Sequence, residues 1–290
     1  MVVCVAFVSL LIASSVSAGS PLLFERFDGA FDETWFFLNF EDDDGVFGKH
    51  PGVQCGIDAC ASLEQEGSDR FLRVSVNPST TEGRYTNTDV SEVELGLPTS
   101  IESGSWNPRP RHPVVLEARV RWSDAYNADG SGSAVGTSGL ILWNSAVGPE
   151  GPSSEYDQIG FTWVTNRAFH GLLSGLNATT VVNFVPVLVS RPIRDVNIND
   201  WVALKLVWST NALGLQHVRY YVNGSLIGIH LLPVPLRDLS VEIWNDNQEP
   251  TITLEGLLED PGQIAYTTNY PSPTAQQSFD VDAVTVRLGD

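Results

Sequence analysis

Alternation of apolar and polar residues with a period of two is the feature that most restricts what this chain can fold into. Residues 71–76, 114–122, 140–143, 158–164, 202–208, 218–222, 240–244 and 281–288 are short alternating or solid apolar runs, bounded by Gly, Pro, Asn, Asp or Ser. Successive side chains on a strand point to opposite faces, so this pattern suits half-buried strands and not helices. Many strands with turn signals between them, and no interleaved helices, predict an antiparallel sandwich or barrel. Asn223-Gly224, set between two such runs, readily takes the positive φ angles of a two-residue hairpin turn.

The chain has 290 residues, room for one large sandwich or two small domains. Neither an internal repeat nor a linker composition divides it, so residues 19–290 are expected to form a single domain. The longer irregular stretches, 41–63, 124–136, 148–154 and 249–278, are expected to be surface loops shaping one edge or face. Residues 1–18 are apolar and end in Val16-Ser17-Ala18, the pattern of a signal peptide cleaved after Ala18, although no basic residue precedes the apolar run. A short membrane anchor is the alternative, but the run barely reaches the ~18 residues a spanning helix needs. No later segment is suited to membrane insertion.

Cleavage would remove Cys4 and leave Cys55 and Cys60, which in an exported protein read as a disulfide closing a small loop. Without export they would be free thiols. The formal net charge of −19 argues against nucleic acid and anionic membranes as partners, because both repel a polyanion. It suits solubility outside the cell, and equally a bound calcium ion. His50, His112, His170, His217 and His230 are scattered, without the close pairing of zinc sites, and no Gly-x-Ser-x-Gly elbow occurs. Asn177 and Asn223 begin N-glycosylation tripeptides.

The order of segments resembles that of family-16 glycoside hydrolases, within the concanavalin A-like lectin/glucanase superfamily. Phe24-Glu25-Arg26-Phe27-Asp28-Gly29 with Phe31-Asp32-Glu33-Thr34-Trp35 is similar to the family's opening strand and first tryptophan. Val115-Leu116-Glu117-Ala118-Arg119-Val120 is similar to its G-x-x-E-A-R strand, and residues 201–208 to the strand before its hairpin. Phe279-Asp280-Val281-Asp282-Ala283-Val284-Thr285-Val286 resembles its closing strand. The resemblance implies a two-sheet antiparallel jelly roll. It also sets Glu155-Tyr156-Asp157-Gln158-Ile159-Gly160 against the catalytic E-x-D-x-x-E or E-x-D-x-E, with Glu155 as nucleophile and Asp157 tuning it. The third acid would fall on Gly160 or Ile159, neither of which donates a proton. A retaining hydrolase needs that second carboxyl ~5–5.5 Å from the nucleophile. Glu150 is the nearest replacement in sequence. Many relatives hold a structural calcium between first and last strands, where Glu25 and Asp282 stand here; an ion pair with Arg26 or Arg287 is the alternative.

Sugar sites combine aromatic platforms with planar polar groups. Trp244-Asn245-Asp246-Asn247-Gln248 has that composition, and Trp143 and Trp163 offer further indoles near Glu155. The resemblance implies that these gather on one concave face; the amides would otherwise satisfy loop backbone. Trp122, Trp201 and Trp208 read as core. The expectation is therefore an exported sandwich that binds a polysaccharide or glycan without cleaving it. The alternatives are a hydrolase or lyase using Glu155 with a relocated acid, and a structural or adhesive domain with no sugar site, in which Trp143, Trp163 and Trp244 would be buried. The sequence leaves the oligomeric state open.

Overall fold

The computed structural model describes residues 21–27, 36–41, 46–48, 54–56, 58–79, 83–91, 107–144, 147–148, 151–152, 157–165, 174–182, 185–237, 239–252 and 266–289. Their strands, numbered in chain order, form two large antiparallel sheets. The nine-stranded sheet runs β17 (Ser225–Leu231), β16 (Gln216–Val222), β15 (Val202–Thr210), β8 (Val114–Trp122), β21 (Gln277–Leu288), β6 (Asp69–Val76), β5 (Ala59–Glu66), β4 (Gln54–Cys55), with β1 (Pro21–Glu25) also beside β21. The eight-stranded sheet runs β14 (Val185–Pro192), β13 (Gly175–Val182), β12 (Gln158–Val164), β9 (Thr137–Trp143), β18 (Ser240–Asp246), β7 (Thr86–Ser91), β2 (Phe36–Glu41), β3 (Val46–Gly48). Two ribbons, β10 (Val147–Gly148) with β11 (Gly151–Pro152) and β19 (Glu249–Ile252) with β20 (Tyr266–Asn269), lie outside them. The chain passes repeatedly from one sheet to the other, in the jelly-roll manner. The expected all-β, two-sheet sandwich is what forms.

The sheets pack through the apolar half of each alternation. Leu140 and Leu142 of β9, Ile159, Phe161 and Trp163 of β12, and Val241 and Ile243 of β18 meet Leu116, Val120 and Trp122 of β8, Leu206 and Trp208 of β15, and Phe279 and Val281 of β21. Each is at most 1% exposed, so truncating a large one such as Phe161 costs about 3–5 kcal/mol. Trp122 stacks at a tilt on Phe279, with centroids 4.6 Å apart. The β16–β17 hairpin turns on Asn223 at φ 48° and Gly224 at φ 78°, as the Asn-Gly pair predicted.

One expectation changes here. Trp201, read as core, is half-buried and lies edge-on to Phe71, centroids 5.5 Å apart, beneath Arg119 and Arg121. Phe71 alternates with the core residues Leu72 and Val74, so this pair sits on the outer side of the nine-stranded sheet, where cationic groups cover both rings. The stretch 124–136 does lie at the surface, with Asp124, Asn127, Asp129, Ser131 and Ser133 exposed, and it is anchored by Tyr126, which is fully buried and donates its hydroxyl to Asn245 Oδ1 at 2.7 Å. Cys55 and Cys60 are cross-strand neighbours of β4 and β5 and are joined by a disulfide. The expected signal segment lies outside the described residues, as do Glu150 and Glu155. No helix among the described residues is long and apolar enough to cross a membrane.

Candidate functional site

The outer face of the eight-stranded sheet collects the residues that the core leaves over. Leu140 and Leu142 point into the sandwich, so Gly139, Ile141 and Trp143 point away from it; Ile141, Trp143 and Trp244 form an apolar cluster separate from the core. Register then assigns the neighbours. Trp143 stands between Ser240 and Gln158, Ile141 between Glu242 and Gly160, Gly139 between Trp244 and Thr162, and Thr137 between Asp246 and Val164. Beyond β12, Thr179 lies next to Gly160 and Asn177 next to Thr162. Two indoles therefore lie among amides, hydroxyls and carboxylates. Both indoles are buried, Trp143 at 6% and Trp244 at 8% exposed, and Trp163 is buried too, which is the outcome expected of a domain without a sugar site.

Local bonds fix these groups. Trp244 Nε1 donates to Thr137 Oγ1 at 2.8 Å, and its ring lies over Gly139, where an added Cβ would come within 2.9 Å of it. Gln158 Nε2 donates to Thr162 Oγ1 at 3.1 Å. Asp246 Oδ1 accepts from Thr137 N at 2.8 Å, Thr137 Oγ1 at 2.9 Å and Gln248 N at 3.1 Å. Burial nevertheless outweighs these bonds and pushes the Asp246 carboxyl up to about 7. Thr179 Oγ1 is buried and bonds to no protein group.

The expected site residues divide by the parity of their strands. Trp143, Trp244 and Asp246 are on the outer face together. Trp163 is not: it is 0% exposed in the core, its Nε1 donating to Asn127 O at 2.7 Å and its ring edge-on to Tyr126. Asn245 also faces inward, accepting from Tyr126 and donating to Val74 O at 3.2 Å and Gln277 O at 3.0 Å. Gln248, half-buried just past the strand, meets Asp246 through its backbone N–H. Asn247 satisfies backbone, accepting from Thr86 N at 2.8 Å and donating to Arg84 O at 2.7 Å.

Asp157 requires the sharpest correction. Gln158 is on the outer face, so Asp157 has the parity of the core residue Ile159, at the strand's end, where its Oδ2 accepts from Asn144 Nδ2 at 3.2 Å. A one-residue offset moves a whole set of side chains to the other face. Gly160 does face outward, opposite Ile141, but a Cβ there would stand 2.5 Å from Leu140 O and 2.6 Å from Ile141 Cα. Close strand approach, and not merely the loss of a side chain, leaves no acid at this position. The residues that sequence reasoning missed are Gln158, Thr162, Asn177, Thr179 and Glu242. Of these, Glu242 was available from the period-two spacing Glu242-x-Trp244-x-Asp246; the others needed cross-strand register.

Glu25 and Asp282 do not fit a calcium site. Asp282 Oδ2 accepts from Arg119 Nη1 at 2.8 Å, and Glu25 Oε1 accepts from the backbone N–H groups of Arg26 and Phe27 at 2.8 and 2.7 Å. The partner of Arg287 is Glu117. Among the described residues no group of three or more His, Cys, Asp or Glu is placed to hold a metal ion.

Fold and face together define a jelly-roll sandwich whose eight-stranded sheet carries two buried indoles among polar groups on its outer side. No protein-family model matches the sequence, and no curated protein matches it. Faint likenesses exist among solved structures. An endo-β-1,4-glucuronan lyase from the fungus Trichoderma reesei is 11% identical over 87% of this chain and 94% of its own, with a TM-score of 0.42. The potassium-bound carbohydrate recognition domain of Emp46p is 10% identical over 92% and 96%, with a TM-score of 0.42. The alginate lyase Aly36B is 10% identical over 88% and 96%, at 0.39. Likenesses this faint carry no statement about ligand or reaction.

Proposed function

We propose that this chain is a secreted relative of the family-16 glycoside hydrolases that binds a glycan on the outer face of its eight-stranded sheet and does not cleave it. The observation that supports this most is the composition of that face. Trp143 and Trp244 bring apolar rings, and Gln158, Asn177, Glu242 and Thr179 bring polar groups, to one sheet face, the two chemistries a sugar needs; because both indoles are buried, a sugar reaches them only where the face opens. Buried polar groups are rare unless something bonds them, and Thr179 Oγ1 has no protein partner.

One argument supports binding without hydrolysis: the third motif position is closed by backbone at Gly160.

Titration calorimetry against glucans, galactans and algal polysaccharides tests the reading. At least one is expected to bind, with Trp244→Ala weakening it by tenfold or more, as loss of a stacking ring costs over 1 kcal/mol. Reducing ends are expected not to accumulate. Absence of binding to every glycan would sink the proposal.

A further inference from the structure

Acids outnumber Lys and Arg by 35 to 16 in this chain, so a cation left without an acid is the anomaly. Most arginines on the outer side of the nine-stranded sheet are paired: Arg73 and Arg121 with Asp280, Arg119 with Asp282, Arg287 with Glu117. One corner of that side differs. Among the described residues, Arg109, Arg111 and Arg219 form no ion pair, and neither do His112 and His217.

Register brings these groups to one end of the sheet. Val114, the first residue of β8, stands opposite Trp208, which stands opposite Val218. One residue further along β15, Ser209 faces His217; one residue back, Val207 faces Arg219. Trp208 and Val218 are core, so Ser209, His217 and Arg219 share the outer face, ~5 Å apart across strands and ~7 Å along one. The turn from Arg109 to His112 ends two residues before Val114 and reaches the same end.

The corner holds donors that lack acceptors. Ser209 is 9% exposed, and its hydroxyl is buried with no hydrogen-bond partner among the described residues; the same is true of Arg219 Nε. Buried donors are rarely left so, and an oxyanion is all acceptor. Burial, and then the Arg219 charge, lower the His217 imidazole, so the local field is positive. In the turn, Arg109 N donates to His112 O at 3.0 Å and His112 N to Arg109 O at 2.8 Å. Arg111 sits there at φ 70°, a position such turns give to Gly, at a steric cost that glycine avoids.

We propose that Arg109, Arg111, His112, Ser209, His217 and Arg219 bind a single oxyanion group, a sulfate, phosphate or carboxylate, on the side opposite Trp143 and Trp244. A polyanion meets the acids of the rest of the surface, whereas one anionic group need reach only this corner. The site does not depend on the glycan reading.

Inorganic sulfate and phosphate, titrated into the full chain while its imidazole resonances are followed, test the site. A saturable shift of the His217 signal, assigned by its loss in His217→Gln, is expected in the millimolar range. Arg219→Gln is expected to weaken binding tenfold or more, since charge-assisted bonds are the strong ones, and Arg70→Gln to leave it unchanged. Arg111→Gly is expected to weaken it while the melting temperature holds or rises, which separates the site from folding. Galactose 6-sulfate or glucuronate binding more tightly than the inorganic ions, with plain galactose inert, assigns the oxyanion to a sugar; weaker binding assigns it to a free anion. The absence of any saturable His217 shift overturns the proposal, as does binding that both Arg219→Gln and Arg111→Gly retain in full.

Discussion

At the scale of single residues, two buried titratable groups act in opposite directions on stability. His230 is 4% exposed, its ring 4.8 Å from that of Tyr220, and its Nδ1 is 2.7 Å from Thr180 Oγ1. With Nδ1 protonated, a chain of donors runs from His230 to Thr180, to Tyr220 at 2.8 Å, and on to Thr179 O at 2.8 Å. Burial lowers the imidazole to about 4 from an ordinary 6.5. Between those values the unfolded chain holds the proton and the folded chain does not, so acidification through that window costs stability, of the order of 3 kcal/mol. Asp246 is the converse. Raised from 3.8 to about 7, it favours the folded state while protonated, and that contribution is lost as pH rises through the interval. Melting temperatures between those limits separate the two. Relative to the unmodified chain, His230→Gln is expected to lose the acid-side decline and Asp246→Asn the decline toward neutrality. An unaltered pH profile in His230→Gln would show that its ring is not desolvated.

At the scale of elements, β12 decides what the eight-stranded sheet can do. It pairs with β9 along its whole length, and at Gly160 the neighbouring backbone fills the space a Cβ would take. Gly160→Ala is therefore expected to lower stability by about 1–3 kcal/mol, read as a reduced urea midpoint at constant slope. Gly160→Glu is expected to restore no hydrolysis; appearance of reducing ends in that variant would refute the assignment. The same element shows where sequence patterning reached its limit. β12 was legible end to end because Ile159, Phe161 and Trp163 alternate with Gln158, Gly160 and Thr162. Its neighbour β13, Gly-Leu-Asn-Ala-Thr-Thr-Val-Val, was missed because its inward set includes Ala178 and Thr180 as well as Leu176. β7, Thr-Asn-Thr-Asp-Val-Ser, was missed because the inward residues Thr86 and Thr88 are polar.

At the scale of the whole molecule, a net charge of −19 repels itself in the compact state. The nine-stranded sheet resists this locally. Asp280, 2% exposed, takes paired bonds from Arg73 at 2.7 and 2.8 Å and from Arg121 at 3.2 and 2.9 Å. Glu117 likewise meets Lys205 at 2.7 Å. These pairs are few against the excess of acids, and exposed pairs contribute little each. Raising salt from about 0.01 to 1 M contracts screening from ~30 to ~3 Å, so repulsion is expected to weaken more than pairing. The melting temperature should rise with sodium chloride; a fall would mean that the ion pairs dominate.

The sequence by itself determined the fold class, the hairpin at Asn223-Gly224 and most of the core. Each of these depends on local alternation or turn chemistry, which a strand carries in its own residues. Only the tertiary structure decided the rest. It moved Trp163 and Asn245 into the interior, turned Asp157 away from the outer face, gave Asp282 to Arg119, and brought Gln158, Asn177, Thr179 and Glu242 beside the two indoles. The physical reason is register. A period of two says that neighbours oppose each other, but which of the two faces inward is settled by the strands alongside.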